Sequence, residues 1–107
     1  MPLKQIHQEA IYLALAQIPC GYVITYGQLA ALAGLSNGAR LAGKVLCGLP
    51  KETELPWHRV VNAQGRISLP SSSSAYAEQK KRLVNEGVQF NNEKINLALH
   101  GYTNRFL

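Results

Sequence analysis

The run Pro56-Trp57-His58-Arg59-Val60 sets an indole, an imidazole and a guanidinium side by side. An indole N–H is a donor only, so Trp57 can fill a pocket, stack, or lie against an alkyl group, but it cannot accept one. A lone tryptophan more commonly anchors a loop on the core; the flanking Pro56 and His58-Arg59-Val60 argue for more than that. The nucleophiles available for group transfer are Cys20 and Cys47, the only cysteines of the chain, since a thiolate can attack an alkyl carbon. Two thiols are too few for a disulfide framework or a zinc site, so a reducing compartment, no metal and no cofactor are expected. Arg40 supplies a flat cation that can stack. Tyr26 supplies a phenol that can donate to a phosphate while its ring adds bulk. Their ordinary alternatives are a solubilising charge and a core tyrosine at a helix start.

These groups need elements to hold them. Leu3, Ile6, Ala10 and Leu13 recur at helical spacing and predict an amphipathic helix to about Gln17, stopped by Pro19 and Gly21. Thr25 is placed to cap a second helix through Leu29 and Leu32 to Gly34. A third helix follows, capped by Ser36 or Asn37 and running to about Cys47, before Gly48 and Pro50 break it. Two short helices joined by Gly34-Leu35-Ser36 make a helix-turn-helix, with the second as the recognition helix. Gly38 and Gly43 each cost about 1 kcal/mol relative to alanine inside a helix. Close approach of another surface to a thin face that also carries Ala39 and Ala42 would explain them; for Gly43, packing on the second helix is nearly as good an account.

Beyond Pro50, residues 51–55 form a polar loop. Val60-Val61 reads as a strand turned at Asn62-Ala63-Gln64-Gly65 into Arg66-Ile67-Ser68, a hairpin serving as a wing. Pro70-Ser71-Ser72-Ser73-Ser74 is low-complexity, either mobile or lining a polar pocket with its hydroxyls and N–H groups. A last helix spans Tyr76 to Asn85, with Lys80-Lys81-Arg82 as a solvated face. The expected class is mainly α: a winged-helix-like helix-turn-helix DNA-binding domain with a small β hairpin. Its 107 residues, 47% of them hydrophobic, suffice for one modest core. The formal charge of +5 favours a polyanion as partner. The apolar stretch from Ala10 to Ile18 abuts Glu9 and lacks a small-residue cleavage site, so it reads as a helix rather than a leader, and no stretch approaches the roughly 18 apolar residues of a membrane span.

Taken in order, Ile18-Pro19, Val23-Ile24-Thr25-Tyr26-Gly27, Ala39-Arg40-Leu41-Ala42-Gly43, Pro56-Trp57-His58-Arg59-Val60 and Val61 resemble the DNA-binding domain of the O6-alkylguanine-DNA alkyltransferases. With Trp57 where those enzymes carry the reactive cysteine, the chain is more similar still to the alkyltransferase-like proteins. The resemblance covers roughly residues 5 to 90 and leaves 91–107 outside it. It implies a recognition helix in the minor groove, with Gly38, Ala39 and Gly43 at the DNA; Gly38, near the helix start, is the glycine assigned to DNA rather than to packing. It implies that Arg40 is the arginine finger filling the gap left by a flipped base, and that Tyr26 crowds the adjacent phosphate. The implied lesion pocket takes Trp57, Tyr26, Arg59, Ser71 and Ser72. His58 and Glu86 correspond to a proton relay that, without a thiol, has no proton to move, so a loop-holding role for His58 and Arg59 ranks above catalysis. Leu49 stands where the enzymes have a hinge asparagine, and Pro70 to Ser74 replace their glycine-rich loop, so no single serine is assigned to the base.

The function implied is a non-enzymatic sensor that binds and flips O6-alkylguanine in duplex DNA and flags it for nucleotide excision repair. Its expected partners are double-stranded DNA carrying the lesion and excision-repair proteins. Its expected place is the cytoplasm, associated with the nucleoid through DNA. Two other classes stay open. An active alkyltransferase would use Cys20 or Cys47; Cys20 lies in Pro19-Cys20-Gly21, which mimics the Pro-Cys start of the enzyme motif but lacks the His-Arg that follows. A winged-helix regulator would read undamaged sequence in the major groove.

Overall fold

The computed structural model describes residues 3–103, with the side chains of Leu3 and Lys4 outside that description. Helices α1 (Leu3–Ala16), α2 (Tyr26–Leu32) and α3 (Ala39–Cys47) form one layer, followed by α4 (Ser74–Asn85) and the short α5 (Leu97–His100). A 3-10 turn (Trp57–Arg59) and four two-residue strands complete the described elements, the strands being β1 (Ile24–Thr25), β2 (Val60–Val61), β3 (Phe90–Asn91) and β4 (Lys94–Ile95). Mainly helical architecture with a small sheet content is what the sequence predicts.

The first helix forms as expected but turns the other way. Ile11, Ala14, Leu15 and Ile18 are buried, a set spaced i, i+3, i+4, i+7, whereas Ile6 is 44% and Leu13 70% exposed. The Leu3 side chain of the expected face lies outside the described residues. Two apolar stripes share this helix, and the one carrying more contiguous bulk meets the core of α2, α3 and β2, where Ile24, Leu29, Ala30, Ala42 and Val60 join it.

Thr25 caps α2 as predicted, and its hydroxyl accepts from the Gln28 N–H at 3.2 Å while the Gln28 side chain accepts from the Thr25 N–H. That reciprocal pair is a capping box. Gly34 leaves the helix in the left-handed region at φ +85°, which a glycine adopts without steric cost. The start of α3 differs from expectation. Neither Ser36 nor Asn37 caps it; Gly38 occupies the cap position with no side-chain bond, and Asn37 takes φ +56°.

The wing is the largest correction. β2 pairs in parallel with β1, Ile24 opposite Val60 and Thr25 opposite Val61, the connection being α2 and α3, as a parallel pair requires a long crossover. The Asn62–Gly65 turn does form, with the Asn62 carboxamide accepting from the Gln64 and Arg66 N–H groups at 3.0 Å. Residues 66–68 nevertheless form no strand; past β2 a single backbone bond, from the Asn62 N–H to the Arg66 carbonyl at 2.9 Å, closes the turn, and the Val60 carbonyl accepts from the Gln79 carboxamide at 3.0 Å. The hairpin lies in the stretch beyond residue 90, where β3 pairs antiparallel with β4 across Asn92 and Glu93, both at positive φ, as a tight two-residue hairpin turn demands. The Ile95 N–H donates to the Gly65 carbonyl at 2.9 Å, tying that hairpin to the turn. A side chain at Gly65 would meet the Ile95 carbonyl at 2.5 Å, so this contact needs a glycine. Val23, Val61, Leu83, Val88 and Ile95 make a second buried cluster on the opposite face of the parallel pair. The last residues of the stretch 91–107 lie outside the described ones.

Candidate nucleic-acid interface

Ala39, Arg40, Lys44 and Cys47 are exposed along α3, with Gly43 half-buried between them. Residues 10–51 contain no carboxylate, so nothing on this helix-turn-helix repels a phosphate. Arg40 has no ion-pair partner among the described residues. Ala42 belongs to the core rather than to this face, being fully buried.

The two glycines exchange the roles their positions suggest. A Cβ on Gly38 would stand 3.0 Å from the Ala30 Cβ and 3.2 Å from the Leu35 Cβ, so Gly38 lets α3 start close against α2. A Cβ on Gly43 would stand 3.8 Å from the Tyr26 ring, an ordinary contact. Packing therefore accounts for Gly38 and leaves Gly43 without a packing reason.

Trp57 opens a single 3-10 turn, Trp57–Arg59, after Pro56. Its half-buried indole walls two adjoining clefts. The larger, about 420 Å³, is lined by Leu46, Leu49, Pro50, Lys51, Ser74 and Arg82 among others. The smaller, about 160 Å³, lies between Tyr26, Gly43, Leu46, Cys47, Leu69 and Gln79. Arg82 sits over the indole, its guanidinium carbon 5.3 Å from the ring centroid, at cation–π distance, and is held from behind by Glu78 at 2.8 Å. The Tyr26 hydroxyl lies 2.8 Å from that of Ser68.

Arg59, which the resemblance assigns to the lesion pocket, points elsewhere. Its guanidinium donates to Glu86 at 2.7 Å and to the Ile18 carbonyl at 2.7 Å, and it lines neither cleft. Glu86 also accepts from His58 Nε2 at 2.7 Å and from the Gly21 N–H at 3.2 Å. Burial alone would raise the Glu86 carboxyl; the Arg59 guanidinium, the His58 ring and the Gly21 N–H overcome it and hold the group at about 2. Burial pulls His58 below its ordinary value despite the pull of Glu86 in the other direction, so at neutral pH the ring is neutral and Nε2–H is the donor. Its Nδ1 is buried without a hydrogen-bond partner among the described residues. The cluster therefore braces the end of α4, the loop after α1 and the Trp57 turn.

Of the serine run, Ser73 is spent on α4, accepting from the Tyr76 N–H at 3.1 Å and donating to the Pro70 carbonyl at 2.7 Å. Ser71 and Ser72 are exposed and line neither cleft, whereas Ser74 borders the larger. Sequence reasoning passed over Arg82, read as part of a solvated run, and Gln79. The buried stripe of α4 contains Gln79 and Leu83 four residues apart, and a polar residue on such a stripe is the signal that would have found it.

Residues 7–88 match the family described as 6-O-methylguanine DNA methyltransferase, DNA binding domain. Alkyltransferase-like protein 1 of Schizosaccharomyces pombe is 43% identical over 79 residues, 74% of this chain and 73% of that protein. The DNA base-flipping protein of Escherichia coli (strain K12) is 46% identical over 80 residues, 75% of this chain and 60% of that protein. The crystal structure of S. pombe Atl1 in complex with damaged DNA containing O6-carboxymethylguanine aligns with a TM-score of 0.84 at 36% identity, covering 95% of this chain and 98% of that one. By these matches the chain belongs to the family of the 6-O-methylguanine DNA methyltransferase DNA-binding domain and stands with its alkyltransferase-like members.

Proposed function

We propose that this chain binds O6-alkylguanine in duplex DNA, rotates the lesion out of the stack and holds it without repairing it. The observation that carries this reading is Trp57, an indole walling both clefts at the position where the family's enzymes place a reactive cysteine. Extrusion of a base costs a few kcal/mol and is cheapest at a damaged pair. Arg40, exposed at the start of α3 and without a competing ion-pair partner among the described residues, can fill the vacated place in the stack. Ala39, Gly43 and Lys44 share its surface, and Gly38 contributes by setting α3 against α2. The smaller cleft, with Tyr26, takes the base. The larger, open past Trp57, has room for substituents bigger than methyl; the Atl1 complex with O6-carboxymethylguanine supports that reading. Ser71 and Ser72 stand at the surface beside this region and are assigned to the DNA strand rather than to the pocket wall.

A sensor that leaves its lesion in place requires a separate excision activity, and nucleotide excision repair proteins are the partners the reading calls for. No helix of the described residues is long and apolar enough to cross a membrane, and the working place assigned is the DNA in the cytoplasm. The test is competition between an O6-methylguanine duplex and the identical unmodified duplex, with a preference for the lesion as the expected result and equal binding as the refuting one.

A second reading draws on Cys47, whose side chain borders the smaller cleft together with Trp57. Transfer to Cys47 would need a base to take its proton. His58, the nearest candidate along the motif, is buried and engaged with Glu86. Intact-mass measurement after incubation with the methylated duplex decides: an added methyl group means transfer, and an unchanged mass supports the sensor.

A further inference from the structure

Two hydroxyls meet at the surface where α2 begins. The Tyr26 phenol lies 2.8 Å from the Ser68 Oγ, and Ser68 is exposed in the segment between the Asn62–Gly65 turn and α4. Neither oxygen has another hydrogen-bond partner among the described residues. Their place is set from two sides. A Cβ on Gly27 would stand 4.0 Å from the Ala39 Cβ, and one on Gly43 would stand 3.8 Å from the Tyr26 ring, so the start of α2 abuts the exposed face of α3 beside Arg40. Tyr26 and Leu69, the neighbour of Ser68 in the chain, line the smaller cleft. The hydroxyl pair thus stands on the rim between Arg40 and that cleft. A nucleotide turned out of the stack stays joined to it by its two phosphates, so a backbone running from a gap filled by Arg40 to a base held in the cleft crosses this rim.

Resting on the sensor reading above, we infer that Ser68 is a phosphate contact in its own right and forms with Tyr26 one anion-binding unit. Each hydroxyl carries one proton and two lone pairs. At 2.8 Å one of the two protons lies between the oxygens, which leaves the other to point outward. A phosphate oxygen only accepts, and a hydrogen bond to a charged group contributes more than one to a neutral partner. Either hydroxyl can be the outward donor, because reversing the bridging bond hands the free proton to the other oxygen. The pair can therefore follow a phosphate while its nucleotide rotates, where a single phenol would hold it at one point only. Residues 10–51, which include Tyr26, contain no carboxylate to oppose the anion.

The test removes one hydroxyl, the other, or both, and in parallel removes the charge of the phosphate. Tyr26→Phe and Ser68→Ala each delete only a hydroxyl, and thermal melts check that both variants and their combination stay folded. Each protein is titrated with an O6-methylguanine duplex and with the same duplex carrying one neutral methylphosphonate on either side of the lesion. The unsubstituted protein is expected to lose about ten-fold in affinity at one of the two positions. Each single variant should keep part of that sensitivity, about three-fold, because the remaining hydroxyl still donates, and the double variant should fall within about two-fold. Full sensitivity in Ser68→Ala, or its complete loss in Tyr26→Phe, means that Tyr26 alone meets the phosphate and overturns the assignment. A ten-fold loss persisting in the double variant places the phosphate on other donors and overturns it too. If the unsubstituted protein does not prefer O6-methylguanine to guanine, the sensor reading itself fails; if it does but is indifferent to the methylphosphonate at both positions, the Ser68 assignment fails alone.

Discussion

Alanine at each of the two α3 glycines tests the packing argument, because the same added methyl group is expected to act with opposite sign. Gly43 lies in the helix interior, and its Cβ would touch the Tyr26 ring at 3.8 and 3.9 Å without displacing it. Gly43→Ala therefore recovers the helix propensity lost by glycine, about 1 kcal/mol, which raises Tm by roughly 4 °C for a domain of this size. Gly38 is the cap residue, where alanine has no propensity advantage over glycine. Its Cβ would stand 3.0 Å from the Ala30 Cβ, 3.2 Å from the Leu35 Cβ and 3.3 Å from the Leu35 carbonyl, and forcing apart packed elements costs about 1–3 kcal/mol. Gly38→Ala should accordingly lower Tm by at least as much as Gly43→Ala raises it. In binding, the more stable variant should be the poorer one, since the Gly43→Ala methyl group intrudes on the smaller cleft beside Tyr26; a penalty of about 1 kcal/mol is roughly five-fold in affinity. Thermal melts and lesion-duplex titrations on both variants suffice. Destabilisation by Gly43→Ala, or stabilisation by Gly38→Ala, would show that the glycines are not divided between surface and packing in this way.

Arg40→Ala should weaken extrusion of any lesion, whereas Trp57→Ala should shrink discrimination between alkylated and normal guanine more than background binding; a fluorescent base analogue beside the lesion reads the first and paired titrations the second. A folded Arg40→Ala that flips normally, alongside a Trp57→Ala that unfolds, would reduce both residues to a surface charge and a core anchor. Total affinity should fall steeply with salt as counterions are released, while lesion preference persists; loss of both together would argue against a flipped-base pocket. Glu86 is held at about 2 against an ordinary value of 4.5, so its stabilisation is complete above pH 4.5 and is lost as pH falls from there toward 2. His58 is lowered from 6.5, so acid below pH 6.5 protonates the unfolded chain preferentially and acts in the same direction. Melts of the parent protein and Glu86→Gln should then differ most above pH 5 and converge toward pH 2, and a constant difference across that range would refute the linkage.

What was legible in the sequence was legible because the signal was local. Thr25 and Gln28 at capping-box spacing and Gly34 at a left-handed exit are decided within one turn of chain, so the helix-turn-helix could be read directly. The face of α1 could not, because Ile6, Ala10 and Leu13 are as periodic as Ile11, Ala14 and Ile18, and only the presence of α2 and α3 chooses between them. The wing failed for a similar reason: Val60-Val61 looks like half of a hairpin until β1, far upstream, is known to pair with it. Arg59 failed because neighbours in a 3-10 turn diverge by about a third of a revolution, so adjacency to Trp57 carried it away from the clefts rather than into them. Gln79 has a polar name on a buried stripe, and its meaning depends on two carbonyls that no pattern in α4 encodes.

His58, Arg59 and Glu86 bear on why loss of a nucleophile need not dismantle the site around it. A His–Glu pair at 2.7 Å has the geometry of a relay, and by that criterion alone the cluster would be an idle remnant. Its other bonds tell against idleness: Arg59 reaches back to the Ile18 carbonyl, and Glu86 receives the Gly21 N–H. The same carboxylate thus ties the loop leading into β1 to the turn bearing Trp57, and removing it would leave a half-buried guanidinium and an N–H without their partner, a cost independent of any proton transfer. Retention of these residues is consequently no evidence for catalysis. The chemistry that the site can perform is decided by the side chain at position 57 and by whether a thiol can reach the lesion, which is why the mass of the protein after exposure to methylated DNA discriminates where the motif cannot.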